Sequence, residues 1–362
     1  MLNYNNPKLI LDSSRLKEGS IKWKSPSNLA IVKYWGKHAV QLPNNPSISM
    51  TLNNAVTETS VEYGPKQRND KNIDIRFFFD GEEKPAFASR IEKYLESLLP
   101  IFPFLAQLSL KIHSKNSFPH SAGIASSASS MSALALCICS IEDRFFGTLV
   151  EDDAFDKKAS YVSRLGSGSA CRSIFPKWSI WGKTIDLEGT SDEYAIPFGQ
   201  EVHPVFSDMH DDVLIVSSQE KSVSSSAGHA LMENNPYSDA RYRQANTRLS
   251  RLLSVMRSGD LEEFGTIAEN EALSLHALMM TSSPSYLLMN PNSLAIIEKV
   301  RAYRQETKNP VYFSLDAGPN IHLLYPSSIV HELRPFIEEE LLPFCVDGMW
   351  INDWAGEGPE QL

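Results

Sequence analysis

The chain has 362 residues, more than one hydrophobic core comfortably serves, so two domains are expected. With 42% hydrophobic and 22% charged residues it reads as globular, and no apolar run is long enough to span a bilayer, which predicts a soluble protein with no membrane role. A formal charge of −10 argues against nucleic-acid binding as the main task, yet leaves room for a small phosphorylated ligand held by a few local cations and backbone N–H groups.

Residues 1–21 are polar and aperiodic and read as an N-terminal extension, either docked or loose. They lack the basic, then apolar, then small-residue order of a secretory signal, so a cytoplasmic location is expected. From Lys22 a short apolar strand is followed by a Pro- and Asn-rich loop and then by alternation through Ile48, Met50, Leu52 and Val61. "NIDIRFFFDGEEK" predicts a hairpin at its Asp-Gly turn, "FASRIEKYLESLLPIF" an amphipathic helix, and "AQLSLKIHSKNSF" another strand. "FPHSAGIASSASSMSALALCICSIE" opens as a turn and continues as a buried helix. "EDDAFDKKASYVSRLGSGSACRSIFPKWSIWG" predicts a helix, a Gly/Ser loop and a strand over Ser179–Trp181. Pro197, Gly199 and Pro204 place a domain boundary near 205, ahead of the buried strand in "DDVLIVSS". Beyond it come two helices broken near Ser258–Asp260, a helix over "PNSLAIIEKVRAYRQET", and a strand–turn–strand in "PVYFSLDAGPNIHLLYP". Strands and helices without regular βαβ alternation argue an α+β fold in two layers.

Four segments carry chemistry. "PHSAGIASS" (Pro119–Ser127) sets a Pro and a Gly ahead of serines at a helix N-terminus, where unpaired N–H groups and the helix dipole favour an anion. Taken alone it reads first as a buried helix capped by serine, with Gly123 making a turn. "GSGSACRS" (Gly166–Ser173) adds hydroxyls and a planar cation, Arg172; the plainer alternative is a flexible turn with a surface Arg. "KYWGK" presents Lys33, Tyr34 and Lys37, either toward an anionic substrate or as a solvated lysine pair around a core Trp35. Asp316, between a strand and a Gly-Pro turn, suits a general base or merely caps the turn. His113, His120, His210, His229, His276 and His322 lack metal-ligand spacing and read as structural or exposed. Cys137, Cys139, Cys171 and Cys345 lack Cys-x-x-Cys spacing and read as buried free thiols.

In this order the segments resemble the mevalonate diphosphate decarboxylases of the GHMP kinase superfamily: "SPSNLAIVKYWGK" (25–37), "NNPSISMTL" (44–52), "NSFPHSAGIASSAS" (116–129), "GSGSACRS" (166–173), "VSSSAG" (223–228), "SLHALM" (274–279) and "DAGPN" (316–320). The serine-rich loop alone would indicate only the superfamily; "KYWGK", "GSGSACRS" and "DAGPN" together are specific to the decarboxylases. The resemblance implies an N-terminal domain (22–205) like domain 2 of ribosomal protein S5, a ferredoxin-like C-terminal domain (206–362), and an active site in the cleft between them. It implies ATP-dependent phosphorylation of the 3-hydroxyl of mevalonate 5-diphosphate, followed by loss of phosphate and CO2 to give isopentenyl diphosphate.

By the same resemblance Asp316 would orient or deprotonate the hydroxyl, Arg172 would pair with the substrate carboxylate, and Asn28 would hold Arg172 or the substrate in register. Tyr34, Lys37, Ser167, Ser169 and Ser225 would contact the substrate. Gly123, Ala125, Ser126, Ser127 and Asn116 would hold ATP, Ser127 also helping to place Mg²⁺, and a homodimer is implied. Three departures stand out: His120-Ser121-Ala122 replaces a small Thr-Ala-Ala, Leu165 replaces a basic residue, and Ser226 stands where some members carry Arg or Thr. Lys33 and Lys221 are the candidates left to neutralise the diphosphate. The competing expectations are a sister enzyme acting on mevalonate 5-phosphate, one that phosphorylates without decarboxylating, and a non-catalytic ligand sensor on the same fold.

Overall fold

The computed structural model describes residues 2–67, 70, 72–119, 124–151, 153–219 and 222–362. In chain order its strands are β1 (Gly19–Val32), β2 (Lys37–His38), β3 (Leu42–Pro43), β4 (Ser47–Pro65), β5 (Asp74–Phe79), β6 (Glu82–Glu83), β7 (Leu108–Asn116), β8 (Trp178–Trp181), β9 (Ala195–Pro197), β10 (His210–Leu214), β11 (Tyr312–Ser314), β12 (Ile321–Tyr325), β13 (Trp350–Ile351) and β14 (Glu360–Gln361). The helices are α1 (Pro85–Ser97), α2 (Ser126–Phe146), α3 (Ala154–Gly166), α4 (Ser225–Ala230), α5 (Ser238–Ser258), α6 (Leu261–Met280), α7 (Pro291–Thr307) and α8 (Val330–Phe336).

Among the described residues an eight-stranded sheet runs β14-β1-β4-β7-β5-β6, with β8 on β4 and β9 on β8; a four-stranded sheet runs β11-β12-β10-β13. Helices pack on these sheets instead of alternating with their strands, which is the predicted α+β, two-layer arrangement. Local chemistry explains the element ends. Asp80 and Gly81, both at positive φ, turn β5 into β6. Gly259 (φ +83°) ends α5, and the Asp260 carboxylate accepts from Glu263 N–H to open α6. Asn290 and Ser293 form a capping box around Pro291 at the start of α7.

The serines of α2 are explained by burial. No side chain caps this helix, because its N-cap is Ala125 in the left-handed region. Ser129 pairs with Thr57 of β4 and Ser132 with Ser25 of β1, each at 2.6 Å, while Ser132 also donates to the Ala128 carbonyl. Small hydroxyls thus let the helix lie close on the sheet with their polarity satisfied. Cys137 and Cys139 follow on the same helix, and with Cys171 and Cys345 they are buried free thiols.

The structure decides one open alternative and differs from the sequence reading elsewhere. The N-terminal extension is docked: Leu9 and Leu11 are buried in the first core, and Gln107 exchanges two hydrogen bonds with the Leu11 backbone. The predicted Gly/Ser loop is a 3₁₀ turn over Gly168–Ile174, and Arg172 within it is 2% exposed, not a surface arginine. β1 starts earlier than its apolar residues suggest, at Gly19, because its polar end pairs with β4 from Tyr63 onward. Among the described residues no helix is long and apolar enough to cross a membrane.

Candidate active site

The C-terminal end of β1, the start of α2, the turn after α3, α4 and the loop after β11 close around a cleft of about 470 Å³. Each predicted site residue that is described lines it: Asn28, Lys33, Tyr34, Lys37, Asn116, Ala125, Ser126, Ser127, Ser167, Ser169, Arg172, Ser225 and Asp316. Gly123, His120 and Lys221 lie outside the described residues.

The register of β1 on β4 shifts between Pro26 and Asn28 and again between Ala30 and Val32, breaking the ladder where the strand enters the cleft. Asn28 Nδ2 donates to Ser173 Oγ (2.8 Å) and the Ser169 carbonyl (3.2 Å), and its Oδ1 accepts from Arg172 Nε at 3.4 Å. Arg172 Nη1 donates to Ser47 Oγ at 2.6 Å, and its guanidinium lies 5.6 Å from the Trp181 ring centroid. Neutral partners therefore hold the arginine from behind. Burial lowers its pKa, opposed by neighbours that include Asp316.

Lys33 is 2% exposed, and its ammonium sits 2.9 Å from Asp316 Oδ1, a partner that sequence spacing did not reveal. Its backbone is equally constrained: Lys33 N–H donates to Glu271 Oε2 (2.8 Å), and its carbonyl accepts from Asn45 Nδ2 and Arg241 Nη2. Glu271 is fully buried on α6 and takes hydrogen bonds from Arg241 and Arg248, whose charges keep its pKa low against the penalty of burial. Asp316 is fixed from the other side, its carbonyl accepting from His276 Nε2 at 3.1 Å.

Across the cleft, α2 begins with no side-chain cap, and Ser127 Oγ lies 3.2 Å from Ser167 Oγ. Asn116 turns its carbonyl oxygen to Thr57 Oγ1 (2.8 Å). Lys37 donates to Gln41 Oε1 (2.9 Å), a neutral partner, and partial burial lowers its pKa. The Tyr34 hydroxyl is buried without a hydrogen-bond partner among the described residues. Gly168 packs so tightly beneath it that a Cβ there would lie 2.8 Å from the hydroxyl oxygen.

Sequence reasoning missed the brace of Glu271, Arg241 and His276, the ring of His229, and an apolar lobe formed by Phe77, Phe79, Phe87, Ile91, Met131 and Leu134 with Arg90 beside it. The β-prone run "RFFF" signalled a strand of a hairpin but not what its face would enclose.

Residues 25–195 match the model of the diphosphomevalonate decarboxylase-like N-terminal domain, and residues 212–347 that of the mevalonate 5-diphosphate decarboxylase C-terminal domain. The chain belongs to the diphosphomevalonate decarboxylase family. The family's enzyme from Saccharomyces cerevisiae is 31% identical over 334 residues, covering 86% of this chain and 79% of its own. That of Eremothecium gossypii is 30% identical over 322 residues, covering 83% and 76%. Among solved structures, the mevalonate diphosphate decarboxylase of Staphylococcus aureus superposes with a TM-score of 0.80 at 28% identity, covering 95% of this chain and 98% of its own. A complex described as MDDEF with MVAPP, AMPPCP and magnesium superposes with a TM-score of 0.79 at 27% identity, covering 95% and 99%.

Proposed function

We propose that this chain catalyses the ATP-dependent decarboxylation of mevalonate 5-diphosphate to isopentenyl diphosphate, with release of ADP, phosphate and CO2. The observation that carries the reading is one cleft holding Asp316 against Lys33 on one side, Arg172 on its neutral supports, and the uncapped start of α2 on the other.

Hydroxide is a poor leaving group from the tertiary C3, and phosphorylation replaces it with phosphate, a good one. Asp316 accepts the 3-hydroxyl hydrogen bond and takes its proton as the oxygen attacks the γ-phosphorus of ATP, breaking the bond to ADP. The C3–O bond then breaks with loss of phosphate, the C1–C2 electron pair becomes the C2–C3 double bond, and CO2 departs. Lys33 holds Asp316 in position, and Arg172, oriented by Asn28 and Ser47, binds the departing carboxylate. Tyr34, Lys37, Ser167, Ser169 and Ser225 line the substrate side. The backbone at Ala125, Ser126 and Ser127 receives the ATP phosphates at the positive end of α2, with Asn116 at its border. The apolar lobe of Phe77, Phe79, Phe87 and Met131 suits the adenine face.

For Mg²⁺, the Ser127 hydroxyl on the cleft side would serve as an oxygen ligand beside the ATP phosphates; the described residues contain no cluster of three His, Cys, Asp or Glu that would hold a metal on its own. Once bound, the ion would neutralise charge on the transferring phosphoryl group. The test is incubation of purified protein with ATP, Mg²⁺ and mevalonate 5-diphosphate or 5-phosphate, with ADP, phosphate and CO2 measured. ADP without CO2 would sink the decarboxylase reading, and turnover of the 5-phosphate alone would overturn the diphosphate. The homodimer implied by the family resemblance is checked by sedimentation.

A further inference from the structure

His229, on α4, is 8% exposed and lines the cleft beside Tyr34, Lys37 and Ser225. Its ring lies between Tyr34 and Trp35, with centroids 4.4 and 4.6 Å away. Its Nδ1 accepts the Gly36 N–H at 3.0 Å. An imidazole nitrogen that accepts a hydrogen bond carries no proton, so the ring is the neutral tautomer with its single proton on Nε2. Burial and the nearby Lys37 charge enforce that state by driving the pKa down to about 3. Among the described residues no acceptor takes the Nε2–H. The neighbouring Tyr34 hydroxyl is likewise without a partner. Two donors without acceptors among the described residues thus share a wall with Lys37.

Resting on the reading of the site given above, we propose that His229 is a substrate-binding residue that donates its Nε2–H to a terminal phosphoryl oxygen of mevalonate 5-diphosphate, as an uncharged donor beside Lys37. The chemistry explains the placement. Lys33 is paired with Asp316, and a second full cation packed against Lys37 would be repelled when the cleft is empty, whereas a neutral N–H adds a directed hydrogen bond without that repulsion. A hydrogen bond to a charged oxygen that water no longer reaches is also among the stronger ones available.

Anchoring of Gly36 and donation to substrate use different ring nitrogens, so two substitutions separate them. Asparagine sets an oxygen near the position of Nδ1 and keeps the Gly36 contact but loses the donor. Glutamine extends an amide N–H toward the position of Nε2 but leaves Gly36 unpaired. Titration calorimetry of mevalonate 5-diphosphate onto the full chain without ATP, with thermal melting in parallel, reads both. His229→Asn is expected to weaken binding about tenfold or more while melting close to wild type. His229→Gln is expected to recover most of the affinity while melting lower. Binding by His229→Asn within threefold of wild type overturns the inference, as does an equal loss in both variants. If wild type binds no mevalonate 5-diphosphate, the substrate reading itself fails and takes this inference with it.

Discussion

Lys33→Met removes an ammonium while nearly conserving side-chain volume, and so tests whether Asp316 works alone. Breaking a buried ion pair typically costs about 3–5 kcal/mol, because the remaining charge is stranded. Here the group that loses one ammonium contact is Asp316, 21% exposed on the cleft, where water offsets part of that penalty. A stability loss of about 1–3 kcal/mol is therefore expected in urea unfolding. The larger effect falls on catalysis. With the 2.9 Å contact gone, the carboxylate loses its fixed aim at the hydroxyl, and misplacement on that scale lowers kcat by about 100-fold. ATP binding, at the far side of the cleft, should hardly change. CO2 release under saturating substrates, compared with nucleotide affinity by calorimetry, reads the two separately. A variant that kept more than a third of wild-type kcat would refute the positioning role of Lys33.

Asp316→Ala and Arg172→Ala should each abolish CO2 release while leaving ATP binding largely intact, and near-normal turnover by Asp316→Ala would mean that the proton acceptor lies elsewhere. Glu271→Gln leaves the buried Arg241 without its full counter-charge, so denaturant melts should show a loss of about 3–5 kcal/mol. Leu11→Ala opens a cavity beneath the docked N-terminal segment and should cost about 2–5 kcal/mol with KM values unchanged. The depressed pKa of His229 means that the unfolded chain binds a proton more readily than the fold does. Its contribution to stability is present above its ordinary value of 6.5 and lost as pH falls toward about 3. Wild type should accordingly lose stability over that window more steeply than His229→Asn, and parallel pH profiles would contradict the buried neutral ring.

The family was legible before any coordinates, because its evidence is local: runs such as "KYWGK", "GSGSACRS" and "DAGPN" keep residue type and spacing in view. Element ends set by neighbouring residues were legible for the same reason. The Asp80-Gly81 turn, the break at Gly259 and the full span of α7 each rest on contacts within four residues. What escaped was decided across hundreds of residues. Lys33 meets Asp316 over a separation of 283 positions, and the Lys33 backbone meets Glu271 over 238. No spacing rule links such partners, so neither contact was legible in the sequence. For Arg172 a surface turn stayed open as an alternative because glycine and serine surround it, whereas tertiary packing buries it behind Asn28, Ser47 and Trp181. The protonation of His229 is likewise a tertiary property, since it depends on which nitrogen meets Gly36 and how near Lys37 stands. Thus sequence alone determined which chemical groups this protein has for its reaction and which local elements carry them. The tertiary structure decided which charges neutralise one another and which donors remain for a substrate, because those outcomes depend on distances that the chain sets only when it folds.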